Sequence, residues 1–210
     1  MPVKPEEGFW KAAAILAKSV RAGQVKGMLV SAASRDEGVT TTCLQVAAAL
    51  SSRCEVRPLL VELDFWRPTL VRELELDPEK TLDSVLARQR CLQQAVQRLS
   101  NGVAVLAAAA RPSPPTKSLA PLVKEVMEYA VGREDIVLFD TPPLTQYGAV
   151  LSVGTVVSDL LLVVRAGRAA NRSLERVQSD LKNAGIEIVG TVLNREKRFV
   201  PGWLERLFLS

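Results

Sequence analysis

The chain has 210 residues, the size of one α/β domain, so two full catalytic domains do not fit. Hydrophobic residues make up 48% and charged residues 24%, which suits a globular chain with a sizeable core. Histidine is absent, which excludes Ser-His triads, histidine phosphorelays and imidazole-ligated metal sites.

The net charge of +4 is mildly basic, and no Arg/Lys block is interleaved with aromatics, so no nucleic-acid partner is expected. Cys43, Cys54 and Cys91 form neither a CxxC pair nor a disulfide framework, which fits a reducing cytosol. The opening MPVKPEEGFWK has no apolar segment of the signal-peptide kind. The longest apolar stretches, Gly102 to Ala110 and Leu160 to Val164, fall far short of the ~20 residues of a membrane helix. A cytoplasmic protein is expected, with peripheral attachment to the inner face of a membrane left open.

No linker or internal repeat divides residues 1–210, so a single domain is expected, with an N-terminal helical segment at 1–26. Apolar runs read as buried strands at Met28–Ser31, Leu59–Leu63, Val103–Ala107, Ile136–Phe139, Leu160–Val164 and Ile186–Val192. Helices fall between them. Leu119, Leu122, Val123, Val126, Met127 and Ala130 share one face, as do Leu174, Val177, Leu181 and Ala184, with Gly185 as a C-terminal cap. This alternation predicts an α/β fold: a doubly wound, mostly parallel sheet flanked by helices. Ligands of such sheets bind at the carboxyl ends of the strands.

Four segments fall at those ends. SAASRDEGVTTTCLQVAAAL, residues 31 to 50, has the strand–loop–helix layout of a phosphate-binding loop, with Gly38 and Thr40 in place but Val39 in the lysine slot. It equally suits a polar turn with Thr40 as the helix N-cap. In LLVELDFWRP, Asp64 is placed to coordinate Mg²⁺ or orient a nucleophile, or to cap a helix starting near Pro68. DIVLFDTPPL ends an apolar strand on Asp140, the Walker-B pattern. Asn194 and Arg195, in GTVLNR, are candidates for base or ribose contacts, or a turn at a strand end.

Taken in this order, the segments resemble the cytoplasmic domain of the bacterial tyrosine kinases that accompany exopolysaccharide export, within the deviant Walker-A P-loop family of the Min and Par ATPases. VELDFWRP resembles the family's Walker A′ strand IDxDxRRP, with Asp64, Arg67 and Pro68 kept and Glu62 in place of the first Asp. LFDTPP resembles its Walker B, with Asp140, Thr141, Pro142 and Pro143 kept, and TLDSVL and SDLLLVVRAG resemble further segments. The resemblance implies a nucleotide site of Glu37, Gly38, Val39, Thr40, Thr41, Asp140, Asn194 and Arg195. It implies Mg²⁺ at Thr40, Asp64 and Asp140, with Asp64 catalytic if the chain is active.

The departures bear on activity. The family loop PGEGKST stands here as RDEGVTT, so Val39 replaces the phosphate-binding lysine and Asp36 a glycine. A charge-assisted hydrogen bond contributes ~1.5–3 kcal/mol, so its loss weakens binding ~10–100-fold. The family's ring-assembly helix ExxRxxR aligns with Glu7, Trp10 and Ala13, so both arginines are gone. The Asp expected shortly after Pro-Pro gives way to Gln146, Tyr147, Gly148 and Ala149. No C-terminal tyrosine cluster is present; the tyrosines are Tyr129 and Tyr147. In the tail, residues 199–210, Trp203, Leu204, Leu207 and Phe208 fall on one helical face, which suits docking on a partner, a membrane or the domain itself.

Three functions follow as expectations. The favoured one is a pseudokinase-like module with weakened ATP and Mg²⁺ binding. It would act through a membrane-embedded polysaccharide co-polymerase, the chain-length regulator, with homo-oligomerisation open. The second is an active Mg-ATP-dependent tyrosine kinase or ATPase. The third is a membrane-associated positioning switch of the Min or Par type.

Overall fold

Strands that are buried along their whole length set the frame. In the computed structural model, which describes residues 6–109, 119–144, 148–167 and 178–195, β1 (Gly27–Ala32), β2 (Pro58–Glu62) and β5 (Ile136–Asp140) are buried at every position. Such strands need cover on both faces. With β3 (Gln97–Arg98), β4 (Ala104–Leu106), β6 (Asp159–Arg165) and β7 (Glu187–Asn194) they form one sheet in the order β3-β4-β2-β5-β1-β6-β7. Every pairing among the described residues is parallel except β3 with β4. The doubly wound α/β expectation therefore holds. The short antiparallel edge strand β3 has no apolar run to announce it.

Two apolar layers cover the sheet. On one face, α1 (Glu7–Arg21), α2 (Val39–Cys54) and α3 (Leu70–Glu73) bury Leu16, Val20, Val46, Leu50 and Leu70 against Val30, Leu60 and Leu138. On the other, α4 (Leu82–Leu86), α5 (Leu92–Ala95) and α6 (Ala120–Ala130) bury Leu82, Leu92, Val123 and Val126 against Leu59, Val61 and Phe139. The face read from the sequence for α6 is the buried one, with Leu119 at its N-cap. Of the second periodic helix, Leu174 and Val177 lie outside the described residues; Leu181 is buried, and Gly185 turns the chain at φ +73°. No described helix is long and apolar enough to cross a membrane.

Gly27 opens β1 under the Met127 thioether, where a Cβ would stand 2.9 Å from Sδ. The central strands β1, β2 and β5 end together, and Leu63 N–H donates to Asp140 C=O at 2.7 Å just beyond them. That shared edge collects Ser31, Glu62 and Asp140 at the start of three loops.

Candidate nucleotide site

The loop between β1 and α2 is shaped by two residues with positive φ, Asp36 at +63° and Gly38 at +91°. Gly38 is also the N-cap of α2, so Thr40 does not fill the capping position and instead sits inside the first turn. Glycine is required at 38 on a second ground: a Cβ there would collide with Asn194 Nδ2. That amide donates to Glu37 C=O at 2.8 Å, so the end of β7 latches directly onto the loop.

Glu37 completes the latch. Its side chain is buried, with Oε1 accepting from Ser34 N–H and Oε2 from Arg165 N–H, each at 3.2 Å. Glu37 and Asn194 thus hold the loop against the ends of β6 and β7. Arg195 is exposed, with φ +55° and its N–H on Asn194 Oδ1. With Phe9, Thr41 and Asn194 it lines a cleft of about 830 Å³ between α1 and the end of β7. Val39, the first residue of α2, is half-buried and packs on the apolar layer beneath that helix.

Asp140 ends β5 and is almost fully buried. The Thr40 hydroxyl hydrogen-bonds its carboxyl, while Oδ2 has no partner among the described residues. Burial pushes its pKa well up, and the nearby Glu62, Asp64 and Glu73 carboxylates push the same way. An orphaned acidic oxygen beside a hydroxyl is the feature here that suits a hydrated divalent ion. Among the described residues no group of three or more acidic or cysteine side chains is arranged as a metal cage.

Asp64 behaves differently. Oδ1 accepts from Trp66 and Arg67 N–H, each at 3.1 Å, which closes the turn after β2. Oδ2 lies 3.5 Å from Arg35 Nη1. Asp64 therefore does not cap the helix near Pro68. Glu62 does: Oε1 takes the Thr69 and Leu70 N–H groups at 2.6 and 3.2 Å, at the start of α3, and Oε2 takes Ala108 N–H at 3.1 Å. Burial raises the Glu62 pKa to about 7, against the lowering pull of those three N–H groups. Glu62 enters the sequence only as a substitute for an Asp; its extra methylene gives the reach to tie three segments together.

The Thr-Pro-Pro segment is fixed by Thr141 Oγ1 donating to Val30 C=O and Ser31 Oγ donating to Pro142 C=O, both at 2.9 Å. On α1, Ala13 is buried and Trp10 lies under Arg53, whose guanidinium carbon is 4.2 Å from the ring centroid. Two of the three positions aligned with the ring-assembly motif thus face their own domain. Gln146, Tyr147 and the tail residues Trp203, Leu204, Leu207 and Phe208 lie outside the described residues.

The structure therefore brings Thr40, Asp64 and Asp140 to one edge, with Glu62 beside them, and sets Thr41 and Arg195 in the neighbouring cleft.

No family model matches the chain. Among curated proteins, tyrosine-protein kinase YwqD of Bacillus subtilis is 26% identical over 176 residues, 83% of this chain and 74% of that protein. Tyrosine-protein kinase etk of Escherichia coli K12 is 24% identical over 169 residues, 80% of this chain but 23% of that protein. Among solved structures, the kinase domain of Escherichia coli tyrosine kinase ETK superposes with a TM-score of 0.76 at 23% identity, covering 91% of this chain and 77% of that one. The septum site-determining protein MinD of Pyrococcus horikoshii, solved with Mg-ADP, gives a TM-score of 0.69 at 23% identity, covering 87% and 77%. The sequence relatives of this chain are bacterial tyrosine-protein kinases, and its fold is the P-loop fold that tyrosine-kinase domains share with MinD.

Proposed function

We propose that this chain is a cytoplasmic tyrosine-kinase-like module of exopolysaccharide polymerisation and export that has lost most phosphoryl transfer and acts through protein partners. Its partner in this reading is the membrane-embedded chain-length regulator, which would hold it at the inner face of the membrane.

The observation that carries the proposal is Val39. A lysine at that point would reach the transferring phosphate; valine packs on the apolar layer and offers no charge. Losing the bond weakens binding ~10–100-fold. Losing a preorganised cation at the phosphate costs a further ~10²–10³ in rate. Exposed Asp36 adds a negative charge to the loop that polyphosphate would approach.

The residues present do not fit a tightly held Mg-nucleoside triphosphate. Thr40 and Asp140 suit the ion, but both Asp64 oxygens already have partners, and position 39 supplies no cation. The inward setting of Trp10 and Ala13 supports a module that does not rely on the family's ring-assembly arginines.

A second reading, an active Mg-ATP-dependent kinase or ATPase, draws on the Thr40–Asp140 pair with its unpartnered carboxyl oxygen. ATP and ADP titration, with and without Mg²⁺, on the wild type and Val39→Lys separates the two. The proposal expects binding gained in the lysine variant. Low-micromolar Mg-ATP binding with hydrolysis by the wild type would overturn it.

A further inference from the structure

We propose that Arg35 is the resident cation of this site: its guanidinium balances Asp64 where a divalent ion would otherwise do so, and the loop keeps its geometry without metal. The inference rests on the functional reading above and adds to it how the acidic edge is neutralised.

Three observations converge. First, the Arg35 Nη1–Asp64 Oδ2 distance is 3.5 Å, with side-chain exposures of 20% and 16%, so the pair is shielded from most solvent screening. Second, Asp64 Oδ1 is already engaged by the Trp66 and Arg67 N–H groups. Both oxygens thus have partners before any ion arrives, and a divalent ion would have to displace the guanidinium or share the carboxylate with it. Two cations on one carboxylate repel each other, which disfavours sharing.

Third, the neighbourhood is strongly acidic. Glu62, Asp64 and Glu73 all act electrostatically on buried Asp140, and Val39 contributes no positive charge. Asp36, at φ +63°, separates Arg35, which pairs with Asp64, from buried Glu37, which ties the loop to β6. Arginine suits this task because its charge is permanent and its planar fork is rigid. Arg35 acts here as a positioning residue and makes the site selective against divalent ions.

The test measures Mn²⁺ binding by electron paramagnetic resonance on the nucleotide-free full chain, comparing wild type, Arg35→Gln and the double variant Arg35→Gln/Asp64→Asn. The wild type is expected to bind Mn²⁺ only in the millimolar range. Arg35→Gln should bind at least tenfold more tightly, and the double variant should lose that gain. Unchanged affinity in Arg35→Gln, or wild-type binding as tight as that of Arg35→Gln, would overturn the inference. If Arg35→Gln unfolds, urea denaturation of the double variant decides: restored folding identifies Asp64 as the charge that Arg35 balances, and no restoration refutes it. The functional reading fails on a separate result, tight Mg-ATP binding by the wild type.

Discussion

With no histidine in the chain, stability between pH 5 and 8 reports on buried carboxyls instead of imidazoles. Glu62 and Asp140 both bear on that window, and the Glu62 pKa rises from 4.5 to about 7 in the folded protein, because burial outweighs the three N–H groups it accepts from. The folded state therefore binds the proton more tightly than the unfolded chain. This contribution to stability is fully present below the unfolded value of 4.5 and is lost as pH rises through about 7. A tenfold gain in proton affinity corresponds to about 1.4 kcal/mol, so the swing from Glu62 is about 3 kcal/mol. Asp140, also raised by burial, adds in the same direction.

Urea denaturation at half-unit pH intervals from 4.5 to 8 is the assay. The wild type should become less stable as pH rises toward about 7, and Glu62→Gln should remove about 3 kcal/mol of that change, leaving the part that belongs to Asp140. A wild-type stability that is flat or rises with pH across this range would refute the reasoning. So would a slope that survives intact in Glu62→Gln, since the proton would then reside elsewhere.

Gly38→Ala forces a side chain onto a left-handed backbone and into Asn194 Nδ2; it should cost roughly 1–3 kcal/mol in urea denaturation. Combined with Asn194→Ala it should cost less than the sum of the two single changes, and full additivity would mean that the latch is not the obstacle. Cys43 is fully buried and its thiol pKa is pushed well up by burial, then by Asp140, so a disulfide reagent should label exposed Cys91 in the folded protein at least a hundredfold faster. Equal labelling in native buffer would show that α2 opens readily. The Arg57–Asp135 pair is largely exposed on the arginine side, so Arg57→Ala should cost no more than about 1 kcal/mol; a loss of several would contradict that.

The sheet was legible because burial on both faces writes itself as unbroken apolar runs. β1, β2 and β5 fall within a residue or so of the runs that mark them. The two-residue strand β3 was not, since its Gln97 and Arg98 carry no such pattern and owe their pairing to β4. At the site, the residues that share an edge could be found from motif order, but their tasks could not. Asp64 reads as a helix cap or a metal ligand; the structure removes the cap reading and ties the carboxylate to a turn and to Arg35. Glu37 and Asn194 read as nucleotide contacts, and the structure adds the hydrogen bonds by which they tie the loop to the ends of β6 and β7, contacts that no local sequence pattern announces.

Under the proposed function, those latches would keep the shape of a nucleotide-binding edge in the absence of nucleotide. In a loop organised by phosphate, the anion supplies many of the contacts that order the backbone. Here the protein supplies several of its own: Glu37 to β6, Asn194 to the loop, Arg35 to Asp64, and Glu62 to α3 and Ala108. Each joins the loop or its neighbours to a strand end, so under that reading the edge would be held with or without an occupant. A partner that recognises this edge would then meet one constant surface instead of two nucleotide-dependent ones. Under the proposed function the module would dock constitutively, and the affinity for its partner should be the same with ATP, with ADP and with neither.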